Sequence, residues 1–192
     1  MSQKDTSYLE SVLPSLAKFR TMRAKLLVQF GLVFLLLSNG INAGAQDYKF
    51  HSIFMYNFTK YIQWPSSYQS GEFVIGVLGS STIVEQLTNM AKVKSAGAQQ
   101  FEIRIFSDAS EVSDCHILFI PEEMSNSFNK VTKKLNGKPT LIISEQAGLA
   151  DAGSHINFVQ VEGKWKFELN QSAAESANLK VSNELSRLAI LI

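Results

Sequence analysis

The sequence predicts a single α/β domain: a mostly parallel sheet flanked by helices, with an antiparallel hairpin at one edge near the C-terminus. Two observations carry the parallel part. Short apolar runs, FVIGVLG (73–79), FEIRIF (101–106), CHILFI (115–120) and TLIIS (140–144), recur along the middle of the chain, and polar segments with helical spacing separate them. Strand, helix, strand with right-handed crossovers is the doubly wound arrangement. A third observation places the hairpin, because HINFVQVEGKWKFELN (155–170) is two alternating stretches around Glu162-Gly163, a turn signal.

Ahead of the domain, LLVQFGLVFLLL (26–37) is uncharged, follows Arg20, Arg23 and Lys25, and gives way to SNGINAGA ending at Ala45. This is the layout of a secretory signal peptide, with Ala43-Gly44-Ala45 as the A-x-A site and cleavage after Ala45. A spanning helix needs about 20 apolar residues, and this run is interrupted by Ser38, Asn39 and Gly40. Residues 1–45 are therefore read as an N-terminal extension and signal peptide, with a more ordinary start at Met22, and 46–192 as the folded domain. An uncleaved N-terminal anchor in the inner membrane is the alternative, and it leaves the same domain on the same side.

The first element of the domain is a helix through FMYNFTKYIQWP (54–65). Phe50, Ile53, Phe54, Asn57, Phe58 and Tyr61 fall on one helical stripe, which predicts a core face. Trp64 precedes Pro65, so the helix should stop there. Asn57 on that stripe needs a hydrogen-bond partner, since unpaired burial costs about 1–3 kcal/mol. Met55, Tyr56 and Ile62 lie off the stripe and are the candidates for a partner surface.

The first and third apolar runs are nearly continuous, as in strands covered on both faces. FEIRIF alternates, which puts it at an edge with Glu102 and Arg104 toward water. Ile83, Val84, Leu87 and Met90 define one crossover helix, and Phe128, Val131 and Leu135 a second. Asn170 and Ser182 read as N-caps of two short C-terminal helices.

Composition narrows function. The whole chain has a net charge of +1 and the part after residue 46 is slightly acidic, with no basic cluster beyond Lys133-Lys134 to track phosphates. A single Cys115 forms no internal disulfide. Cys115 and His116 are neighbours on a strand, so their side chains point to opposite faces and make no nucleophile–base pair. His51, His116 and His155 lack ligand spacing, and no metal or cofactor is expected. The loop Gly79-Ser80-Ser81-Thr82 lacks both phosphate-binding signatures, and Ser81 or Thr82 reads as a helix cap. Recognition is favoured over catalysis.

Five motifs in order, YNFTKYIQWP (56–65), VIGVLG (74–79), DCHILFI (114–120), INFV (156–159) with FELN (167–170), and LKVSNELSRLA (179–189), resemble those of the YfiR-like family of exported bacterial proteins. The resemblance implies a periplasmic α/β domain, often dimeric and non-enzymatic. It also implies a regulator that represses a membrane-bound diguanylate cyclase through that protein's periplasmic domain, and that an outer-membrane lipoprotein captures. Cyclic-di-GMP signalling and biofilm control follow from it. Asn57, Trp64, Pro65, Asn170 and Ser182 carry over as structural motif positions, and no catalytic residue does. Family members with paired cysteines differ from this chain, so disulfide control is not expected here. The alternative is a small-ligand-binding module using Gly79, Ser80, Ser81 and Thr82 with the loops at Pro121–Met124 and Ser144–Gln146.

Overall fold

The computed structural model describes residues 43–192; the expected extension and signal peptide lie outside the described residues, apart from the Ala43–Ala45 site in the first turn of helix α1 (Ala43–Tyr61). The buried face of α1 is His51, Ser52, Met55 and Phe58, continued by Ile62. This is a stripe rotated from the expected one. Phe50, Ile53 and Tyr61 are 46%, 48% and 36% exposed, whereas Met55 and Ile62, expected at the surface, are 0% and 4% exposed. Apolar residues occupy most of the circumference of this helix, so periodicity alone does not set its phase; docking on the sheet does.

The helix also stops earlier than Pro65 requires. Ile62–Gln63 (β1) leaves it to pair antiparallel with Lys180–Val181 (β9), and Ser182 N donates to Tyr61 O at 2.9 Å. Pro65, at φ −54°, instead opens the 3-10 turn Ser66–Tyr68.

The main sheet is mostly parallel, as expected. Its parallel strands are β2 (Phe73–Leu78), β4 (Gln99–Phe106), β5 (Ile117–Ile120), β6 (Leu141–Ser144) and β7 (Ile156–Val161). The antiparallel β8 (Lys164–Leu169) follows β7, and the short strands β3 (Ser95–Ala96) and β10 (Ile190–Leu191) complete the order β10-β8-β7-β6-β5-β2-β4-β3. β3 pairs only with Gln99 and Gln100 at the start of β4, so FEIRIF (101–106) itself forms the edge of the sheet, as expected. Glu102 and Arg104 do share a face and pair at 2.8 Å, while Phe106 on the same face is buried.

Helices α2 (Ile83–Ala91) and α3 (Phe128–Lys134) are the crossovers after β2 and β5. Ile83 and Leu87 join the core that holds Met55 and Phe58; Phe128, Val131 and Leu135 join a second core with Cys115 and Leu118. With both faces covered, β2, β5 and β6 are buried at every position, which is why they read as unbroken apolar runs.

The β7–β8 turn has Glu162 at φ 53° and Gly163 at φ 71°, both left-handed as a two-residue type I′ loop demands. Asn170 caps α4 (Gln171–Ser176): its Oδ1 accepts from Ala173 N and its Nδ2 donates to Ala150 O, each at 2.9 Å. Ser182 caps α5 (Asn183–Leu188) by accepting from Leu185 N at 3.3 Å. Residues 44–192 form one compact unit.

Candidate functional site

Strand β2 connects outward to β4 in one direction and β5 to β6 in the other, so the sheet has its topological switch point between β2 and β5. Ligands of open α/β sheets bind at the strand C-termini beside such a point. Here the three expected loops do meet. Met124 packs over Gly79, whose φ of 75° and missing Cβ admit the Met124 side chain. Ser81 Oγ accepts from Ile83 N at 3.4 Å, as a loose cap, while Thr82 in the N-cap position makes no side-chain cap bond.

What sequence reasoning missed is the group that ties these loops to α1. Glu145, directly after β6, places one carboxylate oxygen 3.3 Å from His51 Nε2, and its other oxygen accepts from Tyr48 OH at 3.2 Å and from Glu122 N at 3.3 Å. His51 is enclosed by rings: Phe158 at 4.0 Å, Trp165 at 4.5 Å and Tyr48 at 5.5 Å between centroids. Burial pushes the Glu145 carboxyl up to about 7, with Glu123 and Glu122 adding repulsion, and pushes the Tyr48 hydroxyl up to about 12. The signal was present in the sequence. Tyr48 and His51 are three apart on a helix, and a carboxylate follows the buried run LIIS directly.

The other two histidines are backbone partners. His116 Nδ1 accepts from Val74 N at 3.0 Å and its Nε2 donates to Tyr68 O at 2.8 Å; His155 Nδ1 accepts from Ile142 N at 3.0 Å. Both rings are held neutral, since desolvation lowers His116 and takes His155 down to about 4. Burial drives Cys115 up to about 12, and it sits in the core opposite His116, so the two do not form a reactive pair. Among the described residues no group of three or more His, Cys, Asp or Glu could hold a metal ion.

The motif residues are placed as follows. Trp64 is buried and its Nε1 donates to His116 O at 3.1 Å, which ties the strap after α1 to β5. Asn57 is not sunk among aromatics: it is half-buried, and its Oδ1 accepts from Lys60 Nζ at 3.3 Å. Tyr56 is half-buried, edge-on to Phe101 at 6.3 Å and covered by Lys60 Nζ at 4.2 Å. Of the three expected surface residues, then, Met55 and Ile62 are buried and Tyr56 is half-buried. The apolar surface of α1 is instead Phe50, Ile53 and Tyr61. Two open cavities of about 620 and 480 Å³ flank the strap and share Gln63, Trp64 and Gln69.

Fold and site together describe an α/β domain with a buried polar cluster at the strand ends and an apolar helix flank in solvent. The YfiR/HmsC-like family model matches residues 48–190, and the chain belongs to that family. Proteins of this family are periplasmic and regulatory rather than catalytic. Among the described residues no helix is long and apolar enough to cross a membrane. No curated protein matches the chain. Among solved structures, the ABC domain in complex with L-Trp from Streptococcus pneumonia is similar at 14% identity and a TM-score of 0.48, over 62% of this chain and 54% of that one. The chain thus spans about half the length of that structure, and a likeness of this size carries no functional argument.

Proposed function

We propose that the chain is a non-enzymatic periplasmic regulator that binds a membrane signalling protein, such as a diguanylate cyclase, through that protein's periplasmic domain and represses it. The observation that carries this reading is the family match across residues 48–190. The exposed flank of α1 supports it with a surface: Phe50, Ile53 and Tyr61 present apolar area that the domain's own core does not use. An outer-membrane lipoprotein that competes for the same protein would relieve the repression, and a homodimer is the form in which it acts. Export is directed by the signal peptide and ends in cleavage after Ala45, so the mature protein begins at Gln46.

Pull-down of the exported domain from its native membrane fraction tests the reading. The expected result is capture of an inner-membrane signalling protein, a rise in cyclic-di-GMP when the gene is deleted, and loss of capture in Ile53→Lys with the thermal midpoint unchanged. Unaltered cyclic-di-GMP on deletion, with no membrane protein captured, would overturn it.

A further inference from the structure

The free edge of β4 combines an unpaired backbone with a side-chain pattern that is its own complement. Phe106 O accepts from Gly79 N at 2.8 Å, and the backbone groups of successive strand residues turn to opposite sides. Those of Glu102, Arg104 and Phe106 therefore point to β2, and those of Phe101, Ile103 and Ile105 point outward, where β3 pairs only as far as Gln100. Glu102 and Arg104 lie together on one face of the sheet. On the other face Phe101 and Ile103 pack against the first core, with Phe101 edge-on to Tyr56 at 6.3 Å, whereas Ile105 is 54% exposed. The opposite edge of the sheet differs. Lys164 and Lys166 alternate along β8 where β10 does not cover it, and repeated like charge keeps such an edge from pairing.

We propose that the edge of β4 pairs with the same edge of a second copy, antiparallel about a two-fold axis through Ile103, so that the two sheets become one. Outward backbone groups bond only to outward ones, which sets odd residues opposite odd residues. With Ile103 opposite the partner's Ile103, Phe101 lies opposite the partner's Ile105 and Glu102 opposite the partner's Arg104, and the two-fold repeats both pairs. Glu102 and Arg104 already pair within one chain at 2.8 Å, so the four charges alternate in sign around the axis. A slip of two residues either way loses the match, because it sets Glu102 against the partner's Glu102 or Arg104 against the partner's Arg104. Ile105, which the monomer leaves in solvent, gains cover from Phe101 and Tyr56 of the other copy. The homodimer belongs to the regulatory reading, and this gives it a surface; the pairing itself depends on no membrane partner.

Sedimentation equilibrium of the whole exported domain over a range of concentrations reads the pairing with no membrane protein present. The wild type is expected to dimerise. Arg104→Glu and Glu102→Arg each set like charges across both symmetric pairs, and each should weaken the dimer by about tenfold with circular dichroism unchanged. An equal mixture of the two variants should recover a dimer containing one chain of each, since only that combination faces glutamate with arginine at every position. A pair acting within one chain could not give this recovery. Amide exchange of the wild type followed by NMR needs no variant: the amides of Phe101, Ile103 and Ile105 should slow as concentration rises, and those of Glu102 and Arg104, directed to β2, should not. A monomer up to the highest soluble concentration, a dimer that both variants leave intact, no recovery in the mixture, or exchange at 101, 103 and 105 that ignores concentration would each overturn the sheet dimer. Capture of a membrane protein by a chain that stays monomeric would refute this dimer and leave the repressed partner of the regulatory reading in place.

Discussion

His155 shows how one buried ring sets acid stability. Its Nδ1 must stay unprotonated to accept from Ile142 N, and its value near 4 lies below the 6.5 of an exposed imidazole. The unfolded chain therefore binds the extra proton between those two values, so this contribution is complete above about pH 6.5 and is lost as pH falls toward 4. At about 1.4 kcal/mol per unit it amounts to roughly 3 kcal/mol. Asn offers an oxygen near the Nδ1 position and does not titrate. Urea midpoints at pH 7.5 and 4.5 should thus differ less in His155→Asn than in the wild type, and an equal difference would exclude the ring as the cause. Glu145 works in the opposite sense over pH 4.5 to 7, so the comparison must be made between the two proteins and not within one. Gly76 is a steric case at the same scale. A Cβ there would lie 2.7 Å from Phe106 Cε2, and Gly76→Ala is expected to cost about 1–3 kcal/mol through overpacking, read by chemical denaturation.

At the scale of elements, α1 separates what period tells from what packing tells. Helicity and the Trp-Pro boundary are readable in the sequence, but Phe50, Ile53, Phe54 and Tyr61 are as apolar as Met55, Phe58 and Ile62. Burial of the second set follows from what faces them, Phe158 and Phe167 among others. Met55→Ala should cost about 2–5 kcal/mol and Ile53→Ala less than about 0.5 kcal/mol, a contrast that equilibrium unfolding resolves directly. The β7–β8 hairpin is the opposite case, since its alternation and turn were both legible. Only Glu162 departs from the ideal, as a non-glycine at φ 53°. Glu162→Asn suits a type I′ turn better and should stabilise by about 0.5–1 kcal/mol, seen as a rise in thermal midpoint.

Across the whole molecule, the sheet separates two cores, and the second of them encloses the only cysteine of the chain. Cys115 is buried and raised to about 12, so its thiolate is reached only when the domain opens. Labelling by a thiol reagent in rising denaturant should track the loss of circular dichroism; labelling well before that transition would show that the second core opens independently.

By itself the sequence determined the main strands and helices, their order, the doubly wound layout, both N-caps and the hairpin, because these follow from local periodicity, turn chemistry and chain connectivity, whereas the two-residue strands and the 3-10 turns were not legible in it. It also carried the family motifs, whose residues Trp64, Asn170 and Ser182 each satisfy backbone groups. Only the tertiary structure decided which side of α1 is buried, where Asn57 points, and that Glu145 meets His51 and, across 97 positions of chain, Tyr48. Such facts depend on contacts between distant segments, and those contacts leave no period in the sequence from which they could be read.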